Sequence, residues 1–218
     1  MKAHLVFAHP NLQSYNGKLR DTAIETLEAN GWTVSVSDLF QMKFKASADE
    51  GDFISLHNPT FFDLQIEQQI AVQKQTFTAD IQREQELLKE ADLIIFQFPL
   101  WWYSMPGVLK GYFDRVFSMG WAYGGHQALA GKKALVCMTT GAPDFAWTEE
   151  KRGTIKDIFK HLFIGIFGLC GLQTLEPFLV YGAKRHTEED KIITLENYKK
   201  RIVDFGINFT KFNEYSKL

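Results

Sequence analysis

The stretch that most limits the possible folds is residues 92–117, DLIIFQFPLWWYSMPGVLKGYFDRVF. Its opening, Leu93 to Phe98, is a short and nearly continuous apolar run. A run of that length reads as a central parallel strand buried on both faces. It stops at Pro99 and presents Trp101, Trp102 and Tyr103 in a row. After Pro106 the chain continues as an amphipathic helix to Phe117. A rigid strand thus delivers three large aromatics to its carboxyl end, where open α/β sheets bind ligands. Neighbouring side chains diverge, so the three cannot all enter one core. At least one is expected to be exposed, or covered by a ligand or partner. The loop is expected to wall a site for a flat aromatic cofactor.

Strand-like and helix-like segments alternate on either side of this block. Strands are expected at 3–8, 33–40, 133–140 and 172–181, besides 93–98. Helices are expected at 16–30, 81–90, 105–117, 154–170 and 187–210. Ser14 is placed to cap the first helix and Gly31 to end it; Asp80 is placed to cap the helix at 81–90. Residues 41–79 form a long irregular region, partly helical in its second half, and long loops are often functional. Five strands alternating with helices predict a three-layer, doubly wound α/β fold with a parallel sheet. The flavodoxin-like strand order 2-1-3-4-5 suits that count, with residues 1–218 as one domain. The 154–170 helix carries Ile155, Ile158, Phe159, Leu162, Phe163, Ile166 and Phe167, more apolar surface than one packing face needs. It is expected to lie deep or at a subunit interface.

A formal net charge of −2, with mixed signs, offers no polyanion-binding surface, so nucleic acid is not an expected partner. Cys137 and Cys170 make neither a metal spacing nor a disulfide framework. No segment has the length of a membrane span or the pattern of a signal peptide, and the expected location is cytoplasmic.

Three strand ends are expected to converge on one crevice. HPNLQSYN, following the first strand, offers imidazole, hydroxyl and amide groups beside a helix N-terminus, which suits phosphate. It is equally compatible with an ordinary capped helix start. The chain has no G-x-G-x-x-G and no P-loop lysine, which argues against a Rossmann dinucleotide site and triphosphate hydrolysis. PLWWYSMP offers stacking surfaces. TTGA, 139–142, lets backbone N–H groups approach a polar ring edge.

These motifs, together with WAYGG, LEPFLVY and ENYKKRI, resemble those of the flavin-dependent NAD(P)H:quinone reductases of the DT-diaphorase type, in a short form. The resemblance implies a flavodoxin-like homodimeric enzyme with shared active sites and tightly bound FAD, FMN being the alternative. It implies hydride transfer from NADPH or NADH through the flavin to a quinone-like acceptor in two steps. His9, Ser14, Tyr15 and Asn16 match residues that hold the phosphate and ribityl part. Pro99, Leu100, Trp101, Trp102 and Tyr103 match those that line the isoalloxazine. Thr139, Thr140, Gly141 and Ala142 match those at its polar edge. Trp102 also faces substrate in the family, and Tyr123 matches an aromatic at the pocket mouth, contributed across the dimer.

Other positions depart from the family pattern. A Tyr/His pair that relays charge there is matched by Trp147 and Gly153, neither of which can exchange protons in that way. Two pocket aromatics are matched by Gly125 and Leu169, and a family glutamine falls near Asp63. The expectation is a kept cofactor shell and a rebuilt substrate pocket. Trp147 is expected to act by shape. His126 is weighed as a substitute for the missing histidine and read as an exposed loop residue. His161 is expected to be structural or interfacial. No metal site is expected. The alternative function is a flavin-binding regulatory subunit of a glutathione-gated potassium efflux system, with secondary oxidoreductase activity.

Overall fold

Apolar strands that need cover on both faces set the architecture. The computed structural model describes residues 1–204. The order is β1 (Lys2–Phe7), α1 (Tyr15–Ala29), β2 (Thr33–Asp38), α2 (Leu64–Lys74), α3 (Ala79–Glu90), β3 (Leu93–Pro99), α4 (Gly107–Val116), β4 (Lys133–Thr139), α5 (Ile155–Ile158), β5 (Gln173–Thr174), β6 (Phe178–Val180) and α6 (Glu188–Val203). The part of the expected last helix beyond residue 204 lies outside the described residues. The sheet is parallel with order β2-β1-β3-β4-β5, and β6 also pairs with β4. This is the expected order.

Every residue of β3 is buried. Ile94, Phe96 and Phe98 enter the larger core, on the side of α3 and α4. Leu93 and Ile95 enter the other, beneath α1 and α6. Fully burying each such side chain contributes about 1.5–3 kcal/mol, which makes the central strands the anchor of the fold. Ser14 caps α1 by accepting the Gly17 N–H, as the sequence suggests.

Three expectations need correction. The fifth strand is broken: β5 and β6 pair separately with β4, and Pro177 lies between them, with no N–H to continue the ladder. The helix expected at 154–170 is the short α5 followed by a π-helical stretch, His161–Gly168. Gly165 and Gly168 lower the α-helical preference there, and wide turns of this kind cluster at functional sites. Asp80 does not cap α3. Thr78 occupies that position, and Asp80 instead accepts from Arg115 at 2.7 Å.

Arg115, buried on α4, organises the long 41–79 region. Its Nε donates to Asp52 at 2.9 Å and one Nη to the Lys45 carbonyl at 3.1 Å, and the guanidinium lies 4.7 Å from the Phe44 ring centre. Further along, buried Glu67 accepts from the His57 and Asn58 amides. Asp63 caps α2 by accepting from the Gln65 and Ile66 amides.

Candidate functional site

Register brings the three expected loops together. Phe7 pairs with Gln97, and Pro99 pairs with Thr139, so β1, β3 and β4 end at one level of the sheet. The loop after β1 is a chain of short bonds. His9 Nδ1 lies 3.1 Å from the Asn11 amide and 3.1 Å from Ser14 Oγ. Ser14 Oγ itself accepts the Gly17 N–H. Nδ1 also lies 3.0 Å from the Asn11 carbonyl oxygen, so its role as donor to that carbonyl or acceptor of the amide is set by the ring tautomer. Burial lowers the His9 pKa below its usual 6.5, with the Asn11 backbone contact opposing. His9 thus holds its imidazole beside the first turn of α1, whose leading amides have no intrahelical acceptor.

Gly17 is required for this geometry: a Cβ there would lie 1.7 Å from the Leu12 carbonyl oxygen. Asn16 ties the first loop to the third, its Nδ2 donating to Thr139 Oγ1 at 2.8 Å. Its buried Oδ1 has no protein partner.

The loop after β3 is a two-residue turn. Trp101 and Ser104 exchange both backbone hydrogen bonds, at 2.9 and 3.0 Å. The two central residues, Trp102 and Tyr103, have φ of 49° and 59°. Asn-Gly is the usual occupant of such a turn; two bulky aromatics in the left-handed region are strained. Trp102 is 94 % exposed, while Trp101 and Tyr103 are each nearly half exposed. Trp101 tilts toward His9, with ring centres 6.3 Å apart.

The third loop is fixed by Thr140, whose Oγ1 donates to the Ala142 carbonyl at 2.6 Å. Its amide donates to Val180 at 2.9 Å. A Cβ on exposed Gly141 would meet no protein atom. Trp147 is buried against this loop. Its Nε1 donates to the Ala142 carbonyl at 3.3 Å, and its ring meets Tyr103 edge-on at 5.9 Å.

The remaining expected residues separate. Tyr123 and Leu169 line a second groove of about 590 Å³ with Gln65, Phe113, His161 and Cys170. Its lining includes none of the residues of the three loops. Gly125 and His126 are exposed and line neither region. Gly153 has φ of 80° and serves as a turn glycine.

Two features were not anticipated. Arg152 lies over the Trp147 ring at 5.6 Å. A cavity of about 480 Å³ opens beside the third loop, lined by Asp144, Tyr181, Arg185, His186, Thr194 and Asn197 among others. His186 adjoins Tyr15, with Tyr15 Oη and His186 Nδ1 3.3 Å apart. The rule that picks out strand ends applies to the fifth strand too, and would have pointed to residues 181–186. Among the described residues, no group of three or more His, Cys, Asp or Glu could hold a metal ion, and no helix is long and apolar enough to cross a membrane.

Residues 1–203 match a family model described as having a flavodoxin-like fold. The mouse ribosyldihydronicotinamide dehydrogenase [quinone] is 37 % identical over 208 residues, covering 92 % of this chain and 90 % of its own. The guinea-pig (Cavia porcellus) NAD(P)H dehydrogenase [quinone] 1 is 35 % identical, covering 92 % and 76 %. A solved structure from Klebsiella pneumoniae, assigned as a quinone reductase, superposes with a TM-score of 0.89 at 33 % identity, covering 94 % and 85 %. An Enterobacter ancillary protein of the glutathione-regulated potassium-efflux system is 38 % identical over 131 residues, covering 59 % of this chain and 73 % of its own.

Proposed function

The chain belongs to the flavodoxin-like fold family, among its quinone oxidoreductases, and we propose that it reduces a quinone-like acceptor by hydride transfer from NADPH or NADH through bound FAD. The observation that carries this is the strained Trp102–Tyr103 turn, facing a small-residue loop and a phosphate-suited helix start at one end of the sheet. Backbone strain in bulky exposed residues persists where a site uses it.

The residues fit a flavin. The His9 imidazole and the first amides of α1 suit its phosphate. The orphaned Asn16 Oδ1 suits a ribityl hydroxyl. Trp101, Trp102 and Tyr103, continuing from Pro99 and Leu100, offer the face of the wall. Thr139, Thr140, Gly141 and Ala142 offer its polar edge. The cavity reached past Tyr15 and His186 has the room and polarity for a second, adenosine-bearing half, which supports FAD over FMN.

Bound flavin supplies the acceptance and donation of hydride. Backbone N–H groups near Gly141 stabilise negative charge at the ring edge. Trp147, held by Ala142 and Tyr103, would close the rim against water, and exposed Trp102 would lie between cofactor and substrate. Hydride donor and acceptor would be bound in turn beside the exposed Trp102 turn, which predicts ping-pong kinetics.

Tyr123 and Leu169 belong to the same proposal through a homodimer. Their groove is apolar, separate from the three loops and flanked by half-exposed Leu169. A second copy would cover it and bring it to the partner's Trp102 loop. A cytoplasmic setting fits the two unpaired cysteines. The efflux-system reading is less favoured, because that match covers 59 % of the chain.

The test is steady-state NADPH oxidation with a simple benzoquinone, on purified protein whose cofactor is released by heat and identified by chromatography. Sustained turnover with FAD released is expected. A colourless protein that cannot be loaded with flavin would overturn the proposal, and a monomer by light scattering at micromolar concentration would overturn the shared site.

A further inference from the structure

The relatives differ in the hydride donor they are named for, one a ribosyl-dihydronicotinamide and the other NAD(P)H. The first carries no phosphate and the second does. The loop after β4 bears on that choice. Arg152 lies 5.6 Å from the centre of the Trp147 ring, and Lys151 lies 5.1 Å from that of Phe145, its Nζ donating to the Phe145 carbonyl at 2.8 Å. Both cations are exposed. Among the described residues neither forms an ion pair, although Asp144, Glu149, Glu150 and Asp157 lie in the same stretch. Two of those acids are engaged locally. Asp144 accepts the Phe145 amide, and Asp157 accepts from Thr154 Oγ1. Aromatic faces therefore hold the cations where acids could have neutralised them.

Trp147 in turn donates to Ala142 and meets Tyr103. Arg152 thus stands one aromatic ring beyond the loops assigned to the flavin. A nicotinamide stacked there would carry its first phosphate a ribose away from its ring, within the span of one aromatic ring and a side chain such as Arg152. We infer that Arg152, oriented by Trp147, binds a phosphate of the hydride donor and makes this enzyme selective for phosphate-bearing dinucleotides over the phosphate-free riboside. Guanidinium suits phosphate through paired N–H donors, which lysine lacks. Lys151 adds field without a geometric role. The inference rests on the proposed flavin site.

The experiment measures kcat/KM for NADPH, NADH and dihydronicotinamide riboside with one benzoquinone, in the wild type, Arg152→Gln and Arg152→Lys. NADP⁺ binding is measured by calorimetry at low salt on the same proteins. Arg152→Gln is expected to lower kcat/KM for the dinucleotides, and to weaken NADP⁺ binding, by about 10-fold or more, as loss of a charge-assisted hydrogen bond does. The riboside reaction is expected to be unchanged, and Arg152→Lys to recover only part. A loss confined to NADPH assigns the 2′-phosphate; an equal loss for NADH assigns the pyrophosphate. Equal slowing of the riboside, or no change with any donor, overturns the inference while leaving the quinone reductase intact. Failure of the wild type with every donor overturns the functional reading itself.

Discussion

The Trp102 turn offers a direct measure of stored strain. A non-glycine residue in the left-handed region costs about 1–2 kcal/mol, and glycine there costs nothing sterically. Trp102 has φ of 49° and is 94 % exposed, so removing its side chain forfeits almost no packing. Trp102→Ala keeps the Cβ and the strain, and is expected to change stability by less than about 0.5 kcal/mol. Trp102→Gly removes the strain but adds about 0.5–1 kcal/mol of unfolded-state entropy. The difference leaves the glycine variant about 0.5–1 kcal/mol more stable than the alanine variant. For a chain of this size, about 1 kcal/mol is about 2–4 °C in Tm. The assay is urea unfolding of cofactor-free protein at fixed protomer concentration, with m-values compared. Both variants are expected to lose flavin affinity and quinone turnover, so stability and activity move in opposite directions in the glycine variant. A glycine variant no more stable than the alanine variant refutes the strain, and with it the chief structural support for a site at this turn.

Two further outcomes test the surroundings. By ¹⁵N NMR, His9 should titrate below 6.5. Its folded pKa is depressed, so the unfolded chain binds more protons in that window; the stability contribution is complete above about 6.5 and falls away as pH drops through the lowered value. Arg115→Met should destabilise by about 3 kcal/mol in urea, because it strands buried Asp52 with Lys45 as its remaining cation. It should also expose the 41–63 segment to limited proteolysis, and unchanged cleavage would show that the segment is held by something else.

What the sequence discloses and what it hides divide along physical lines. Strand order and the two-sided core are readable because β3 and β4 carry their burial in a local pattern of apolar residues. The Ser14 cap is readable because capping is a contact three residues long. The break between β5 and β6 has a local cause in Pro177, but that proline sits inside an apolar run that reads as one continuous strand. Asp80 looks like a cap locally, and its true partner, Arg115, is 35 positions away. The π-helical stretch depends on packing that periodicity cannot register. Arg152 was hidden for the same reason as Asp80. A cation in a loop with two adjacent acids reads as solvated charge until the fold places an indole beneath it.

That division also bears on where this chain departs from the pattern of the quinone reductases. The three loops proposed for the flavin are continuations of strands whose register is fixed by ladder bonds, so a substitution there would be felt by a cofactor bound at them. Leu169 follows the π-helical stretch, Gly125 lies in an exposed loop, and Gly153 turns the segment that carries Arg152. None of the three is held by the sheet. A substrate pocket built from such elements can be rebuilt without disturbing the sheet ends. Exchanging Trp147 is different, because its indole N–H is bonded to Ala142 in the third loop. It is therefore a position through which a change in substrate preference would reach the proposed flavin edge.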